Sequence, residues 1–220
     1  IEVACGLYED QARELNKGFI KRHEQGLPWV VVKIAASLDG RTAMASGQSQ
    51  WITTPASRKD VQRLRAANCA IITGIGTQLM DDPSLTVRIT NADVGVEDSL
   101  RQPLRVVVDS KLQMSPEARM FAQPGDTLIA TTDGPEQREK ALALETAGAV
   151  VVFLPARDGH VDLYELLLEL ARRECNSVMV EAGAGLAGGF VAEGLLDELV
   201  CYWAPKLFGS DARPMFELPI

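Results

Sequence analysis

Short apolar runs alternate with amphipathic stretches along the whole chain. Residues 30–35, 69–73, 104–109, 127–131, 150–154, 177–181 and 199–208 read as seven strands, most of them apolar enough to be buried on both faces. The stretches between them carry helical spacing and recognisable ends. Thr54 before Pro55 is a cap followed by proline in the first turn, which predicts a helix to residue 67 with Val61 and Leu64 inward and Arg65 at the margin. Pro135 opens a helix over 136–147. Asp162 and Glu165 form a capping-box pair, with Val161 and Leu166 as a staple, for a helix reaching about Arg173. A short helix from Thr77 stops at Asp81-Asp82-Pro83, and another runs over 185–196. Tyr8, Ala12, Leu15 and Phe19 predict an amphipathic N-terminal helix ending near Gly26. Residues 89–102 are a polar connector without a domain boundary. Strands interleaved with helices imply an α/β sheet that is largely parallel.

Composition narrows the class. At 220 residues, 46% hydrophobic and 24% charged, the chain suits one well-cored domain, with no apolar run long enough to span a membrane. A net charge of −8 argues against a nucleic-acid surface, so an anionic ligand must be held by a few placed basic groups. Cys5, Cys69, Cys175 and Cys201 are scattered, and only His23 and His160 could join them. That is not metal-ligand spacing, and free thiols in a reducing cytoplasm are expected. No zinc-deaminase signature is present. The chain opens at Ile1 without a leader or an initiator methionine, as expected of a piece of something longer.

Candidate chemistry concentrates at strand ends. Lys33 interrupts an apolar strand and either snorkels to the sheet edge or faces a cavity. The polar loop after it holds Ser37, Asp39, Arg41, Ser49, Gln50 and Trp51. Gly74-Ile75-Gly76-Thr77 joins a strand to a helix and exposes amides suited to an anion, although glycines serve many such turns sterically. Gly183-Ala184-Gly185-Leu186-Ala187-Gly188 has the dinucleotide-fingerprint pattern. The next strand, 199–205, lacks the acid of a Rossmann domain, which leaves a pyrophosphate-binding turn in another fold or packing glycines. Glu181 ends a strand where ligands of open sheets gather. Asp109-Ser110-Lys111 ends another, with Ser110 and Lys111 either at a cofactor 2′-phosphate or solvated.

Residues 33–43 (KIAASLDGRTA), 47–53 (GQSQWIT), 81–88 (DDPSLTVR) and 180–183 (VEAG) resemble the reductase domain of the bifunctional riboflavin-biosynthesis deaminase–reductase. The resemblance implies a dihydrofolate-reductase-like fold with a mostly parallel central sheet flanked by helices. Residues 1–26 would lead in from an absent deaminase domain, and 27–220 would form the reductase, with an incomplete C-terminal sheet edge. It implies NADPH as cofactor, a small ribosylaminopyrimidine phosphate as substrate, no metal, a homodimer or larger assembly, and a cytoplasmic location. Ser49, Arg65, Leu85, Arg88 and Glu181 would contact substrate, the arginines gripping its phosphate. Ala35, Trp51, Thr77, Asp81, Ser110 and the turn Gly183, Ala184, Gly185, Leu186, Ala187, Gly188 and Gly189 would contact cofactor. Lys33 would lie beside the reacting sugar carbon, with the Asp81 carboxylate near it organising proton movement. A dihydrofolate reductase and a non-catalytic nucleotide-binding dimerisation module are the alternatives.

Overall fold

The computed structural model describes residues 2–47, 52–95 and 100–218. In chain order these form α1 (Glu9–Leu15), α2 (Lys17–Gln25), β1 (Trp29–Ser37), β2 (Arg41–Ala43), α3 (Pro55–Ala67), β3 (Ala70–Gly74), α4 (Ile75–Asp81), α5 (Asn91–Val94), β4 (Leu104–Val108), β5 (Thr127–Thr132), α6 (Pro135–Thr146), β6 (Ala149–Leu154), β7 (Ala156–Arg157), β8 (His160–Val161), α7 (Leu163–Arg172), β9 (Ser177–Val180), α8 (Ala184–Ala192), β10 (Glu198–Ala204) and β11 (Arg213–Pro214). A 3₁₀ turn, Arg119–Ala122, precedes β5.

The seven apolar runs pair into one sheet, in the order β10-β1-β9-β3-β4-β5-β6, and every neighbouring pair is parallel. All carboxyl ends therefore lie along one edge, the edge at which open α/β sheets bind ligands. The chain first builds outward from β3 to β6. It then returns to insert β9 between β1 and β3, and finally adds β10 outside β1. The ends of β1, β9 and β3 thus stand side by side although they are far apart in sequence.

Each face of the sheet has its own core. Val30, Val32, Ile34 and Ala36 of β1 join Leu166, Leu167 and Leu170 of α7 and Phe190 of α8 on one face. Ile71, Val107, Ile129 and Met179 meet Ala141 and Leu144 of α6 on the other, with Leu64 of α3 packed beside them. Alternation along β1 puts Val31, Lys33 and Ala35 on this second face, under α3.

The helix ends follow the side chains that predict them. Thr54 accepts a hydrogen bond from the Ser57 N–H, and Asp162 accepts from Tyr164 and Glu165. The N-terminal stretch differs from its expectation. It forms two helices, broken where the Asn16 side chain donates to the Ala12 carbonyl, and its apolar residues face outward, with Leu15 85% exposed. The pair docks through charge instead: Lys21 reaches Asp197 at 2.5 Å and Lys17 reaches Glu198 at 3.0 Å.

The polar loop after β1 also finds its partners far away. Asp39 accepts from the backbone of Phe208 (3.0 Å) and Gly209 (2.8 Å), and the Arg41 guanidinium donates to the Ala212 carbonyl. These bonds hold β11 antiparallel to β2 and carry the following segment over α8.

Candidate active site

Three charged side chains from three elements meet at the centre of the carboxyl edge. Pairing of Val32 with Val180 sets Lys33 beside Glu181, the residue that follows β9. The Lys33 ammonium lies 3.3 Å from Glu181 Oε1 with its side chain only 14% exposed, so it does not snorkel. Arg65 comes down from α3 and grips the same carboxylate with two hydrogen bonds of 3.0 Å, while a third reaches the Thr86 carbonyl. Burial alone would push the Glu181 carboxyl up, but Lys33 and Arg65 reverse this and hold it at about 2. Of the three ammonium N–H bonds of Lys33, one points at Glu181, and no other partner exists among the described residues. The amine is a fixed cation with donors to spare. At the flank, Tyr202 on β10 donates to the Asp60 carboxylate on α3 at 2.7 Å.

Beside this cluster two helix N-termini converge. Gly74 and Gly183 are the N-caps of α4 and α8, and neither helix start receives a side-chain hydrogen bond. A Cβ on Gly183 would stand 3.8 Å from Thr77 Oγ1, and one on Gly74 would stand 3.4 Å from Leu186. Two uncapped amide clusters side by side, with hydroxyl and small residues between them, fit a pyrophosphate. The glycines of the turn divide their work. Gly183 and Gly185 are exposed at the helix start, whereas Gly188 is buried where a Cβ would fall 2.1 Å from the Glu217 carbonyl oxygen. Gly189 likewise faces Leu163 at 3.1 Å, so the last two serve packing.

Other candidate residues depart from their expected places. Asp81 is exposed at the C-terminal end of α4, about 9 Å along the axis from its first residue. No described contact joins it to Lys33; the carboxylate that meets the lysine is Glu181. Asp82 instead has the structural task, with left-handed backbone (φ 39°) and a carboxylate that accepts from Gln78 and from the Arg119 N–H. Leu85 does not line an open pocket: its side chain is 3% exposed in the second core, and its own φ is 49°. The Arg65 guanidinium is committed to Glu181 and Thr86, which leaves it no free fork for a phosphate. Arg88 is exposed, with its backbone N–H held by Gln62 and no guanidinium partner among the described residues.

Ala35 lies two residues beyond Lys33 on the same face, in register with Tyr202. Ser110 follows β4, and its hydroxyl accepts from the Val161 N–H at 3.0 Å. Asp109 is fully buried, and it holds its own turn by accepting from Gln113 and Met114. Ser49 and Trp51 lie outside the described residues. Among those described, no group of histidine, cysteine and acidic side chains is placed to hold a metal, and no helix is long and apolar enough to cross a membrane.

A parallel sheet in this order, with ligand groups at the ends of β1, β3 and β9, is the dihydrofolate-reductase-like architecture. Residues 28–219 match the family model described as the RibD C-terminal domain, and the chain belongs to that family. Riboflavin biosynthesis protein RibD of Escherichia coli K12 is 47% identical over the whole of this chain, which covers 59% of that protein. A solved structure of Acinetobacter baumannii RibD superimposes with a TM-score of 0.84 at 38% identity, over 100% of this chain and 58% of that one. A Thermotoga maritima protein titled a diaminohydroxyphosphoribosylaminopyrimidine deaminase/5-amino-6-(5-phosphoribosylamino)uracil reductase gives 0.78 at 27% identity, over 98% and 55%. The chain thus spans somewhat over half the length of these relatives.

Proposed function

We propose that the chain is the NADPH-dependent reductase of riboflavin biosynthesis that converts 5-amino-6-(5-phosphoribosylamino)uracil to 5-amino-6-(5-phosphoribitylamino)uracil. The observation that carries this reading is the Lys33–Glu181–Arg65 cluster lying beside two uncapped helix N-termini. Bound NADPH would supply the hydride that C1′ of the opened sugar takes up. The chain's own groups do the rest. Lys33, held in place by Glu181, offers its free N–H bonds to the nitrogen or ring oxygen that gains a proton. Glu181 fixes the lysine and has lone-pair capacity left for substrate N–H groups. Arg88, whose guanidinium has no partner among the described residues, would grip the sugar phosphate, and Ser49 would be a further substrate contact.

The first turns of α4 and α8 would cradle the pyrophosphate through Thr77 and the amides from Ala184 to Leu186, and Ala35 and Trp51 would flank the nicotinamide. The Ser110 hydroxyl accepts from Val161, so its own proton remains free for the 2′-phosphate that separates NADPH from NADH, with exposed Lys111 next to it. A homodimer in the cytoplasm completes the reading. Following NADPH absorbance with this substrate, with dihydrofolate as control, tests it. Oxidation with the first and none with the second is expected; the reverse, or no oxidation with either, refutes it.

A further inference from the structure

We propose that Tyr202, through Asp60, is a positioning residue for this site, holding α3 so that Arg65 keeps Glu181 against Lys33. The inference rests on the reductase reading above. Lys33 lies on β1, between β10 and β9. The pairing of Ala35 with Tyr202 and of Val32 with Val180 puts Tyr202, Lys33 and Glu181 on one face, the face that α3 covers. α3 makes a side-chain bond to each flanking strand: Asp60 with Tyr202 of β10 at 2.7 Å, and Arg65 with Glu181 beyond β9 at 3.0 Å. Five residues of helix advance about 7.5 Å, and two strand spacings are roughly 9.6 Å, so one helix spans β1 and plants a foot on either side. Lys33 lies under that span.

The two feet differ. Arg65 is nearly buried, with two bonds to one carboxylate, whereas Asp60 is half-exposed, with one hydrogen bond from a phenol and a 3.9 Å ion pair to Arg63 on its own helix. Without the Tyr202 bond, α3 is free to rock about the Arg65 end. The Arg65–Glu181–Lys33 geometry is what such rocking would disturb. Burial, the Asp60 contact and the nearby Glu181 charge all raise the phenol's pKa, so it keeps its proton throughout the working range.

The test compares Tyr202→Phe, Asp60→Ala, their double variant and Asp60→Asn in the chain as it stands. Asparagine still accepts from the phenol and serves as the rescue. Tyr202→Phe and Asp60→Ala should each lower kcat about tenfold, with the NADPH dissociation constant unchanged. The double variant should match the singles, and Asp60→Asn should keep near-native turnover. Melting temperatures within a few degrees of native would separate positioning from general destabilisation. Native kcat in Tyr202→Phe, additive losses in the double variant, or failed rescue by Asp60→Asn would each overturn the proposal. If unmodified protein fails to oxidise NADPH with the substrate, it is the reductase reading that falls. Hydrogen exchange of the α3 amides then reads the positioning role by itself: faster exchange in Tyr202→Phe is expected, and native protection along α3 overturns it.

Discussion

Replacing Glu181 by glutamine removes the one anion that two buried cations share. In the native protein the carboxyl is held at about 2 rather than its ordinary 4.5, with its side chain 18% exposed. A folded value below the unfolded one means that the carboxylate contributes stability above about pH 4.5, and this contribution is lost as pH falls toward 2. The displacement corresponds to roughly 3 kcal/mol, in line with the cost of breaking a buried pair by removing one partner. Glutamine keeps the shape but presents an N–H group to donors and leaves Lys33 and Arg65 uncompensated. Urea denaturation of both proteins at pH 7, 5, 4 and 3 should show the variant about 3 kcal/mol less stable at pH 7. The gap should narrow steadily below pH 4.5, as the carboxyl of the unfolded chain takes up its proton while the folded one stays ionised. A stability difference that stays constant from pH 7 to pH 3 would refute the electrostatic account.

Other substitutions separate residues that look alike in sequence. Arg88→Ala should raise the substrate KM with cofactor affinity intact, whereas Arg65→Ala should lower kcat and cost several kcal/mol in denaturant melts, because its guanidinium is already committed. Asp82→Ala should lose about 1–2 kcal/mol by freeing the Arg119 N–H, while Asp81→Asn should keep native stability and turnover; paired melts and steady-state kinetics decide. Gly188→Ala should destabilise strongly because its Cβ would strike the Glu217 backbone. A Cβ on Gly76 meets nothing within 4 Å, so Gly76→Ala should raise stability by up to about 1 kcal/mol, read from thermal melts.

The sheet was legible because each of its strands is a short run, largely apolar, bounded by caps, glycines or prolines. Lys33 stood out as a lone charge in such a run, and Glu181 as a carboxylate at a strand end. Their meeting was not legible, since 148 residues separate them and the contact exists only because β9 inserts beside β1. The same gap explains why Asp81, close in sequence to other motif residues, was assigned the lysine when Glu181 holds it. Asp39 and Tyr202 could not be read either, because their partners lie 169 and 142 residues away. Helical spacing predicted the N-terminal helix but not its outward apolar face, which depends on what the helix docks against. Nothing in the pattern of the late glycines distinguishes Gly185 from Gly188; only the path of the segment around Glu217 does.

The position of β1 also bears on how the molecule assembles. β3 to β6 pair with one another in chain order and are able to associate as the chain emerges, β3 keeping its other edge for β9. β1, made before any of them, pairs among the described residues with β9 and β10, which lie between Ser177 and Ala204. Closing so long a loop is slow, and the strand that carries Lys33 waits unpaired until residues 177–204 have been made. Its run of valines is then an exposed, aggregation-prone edge. Pulse-labelled hydrogen exchange should find the amides of β3 to β5 protected first, and those of residues 30–36 last.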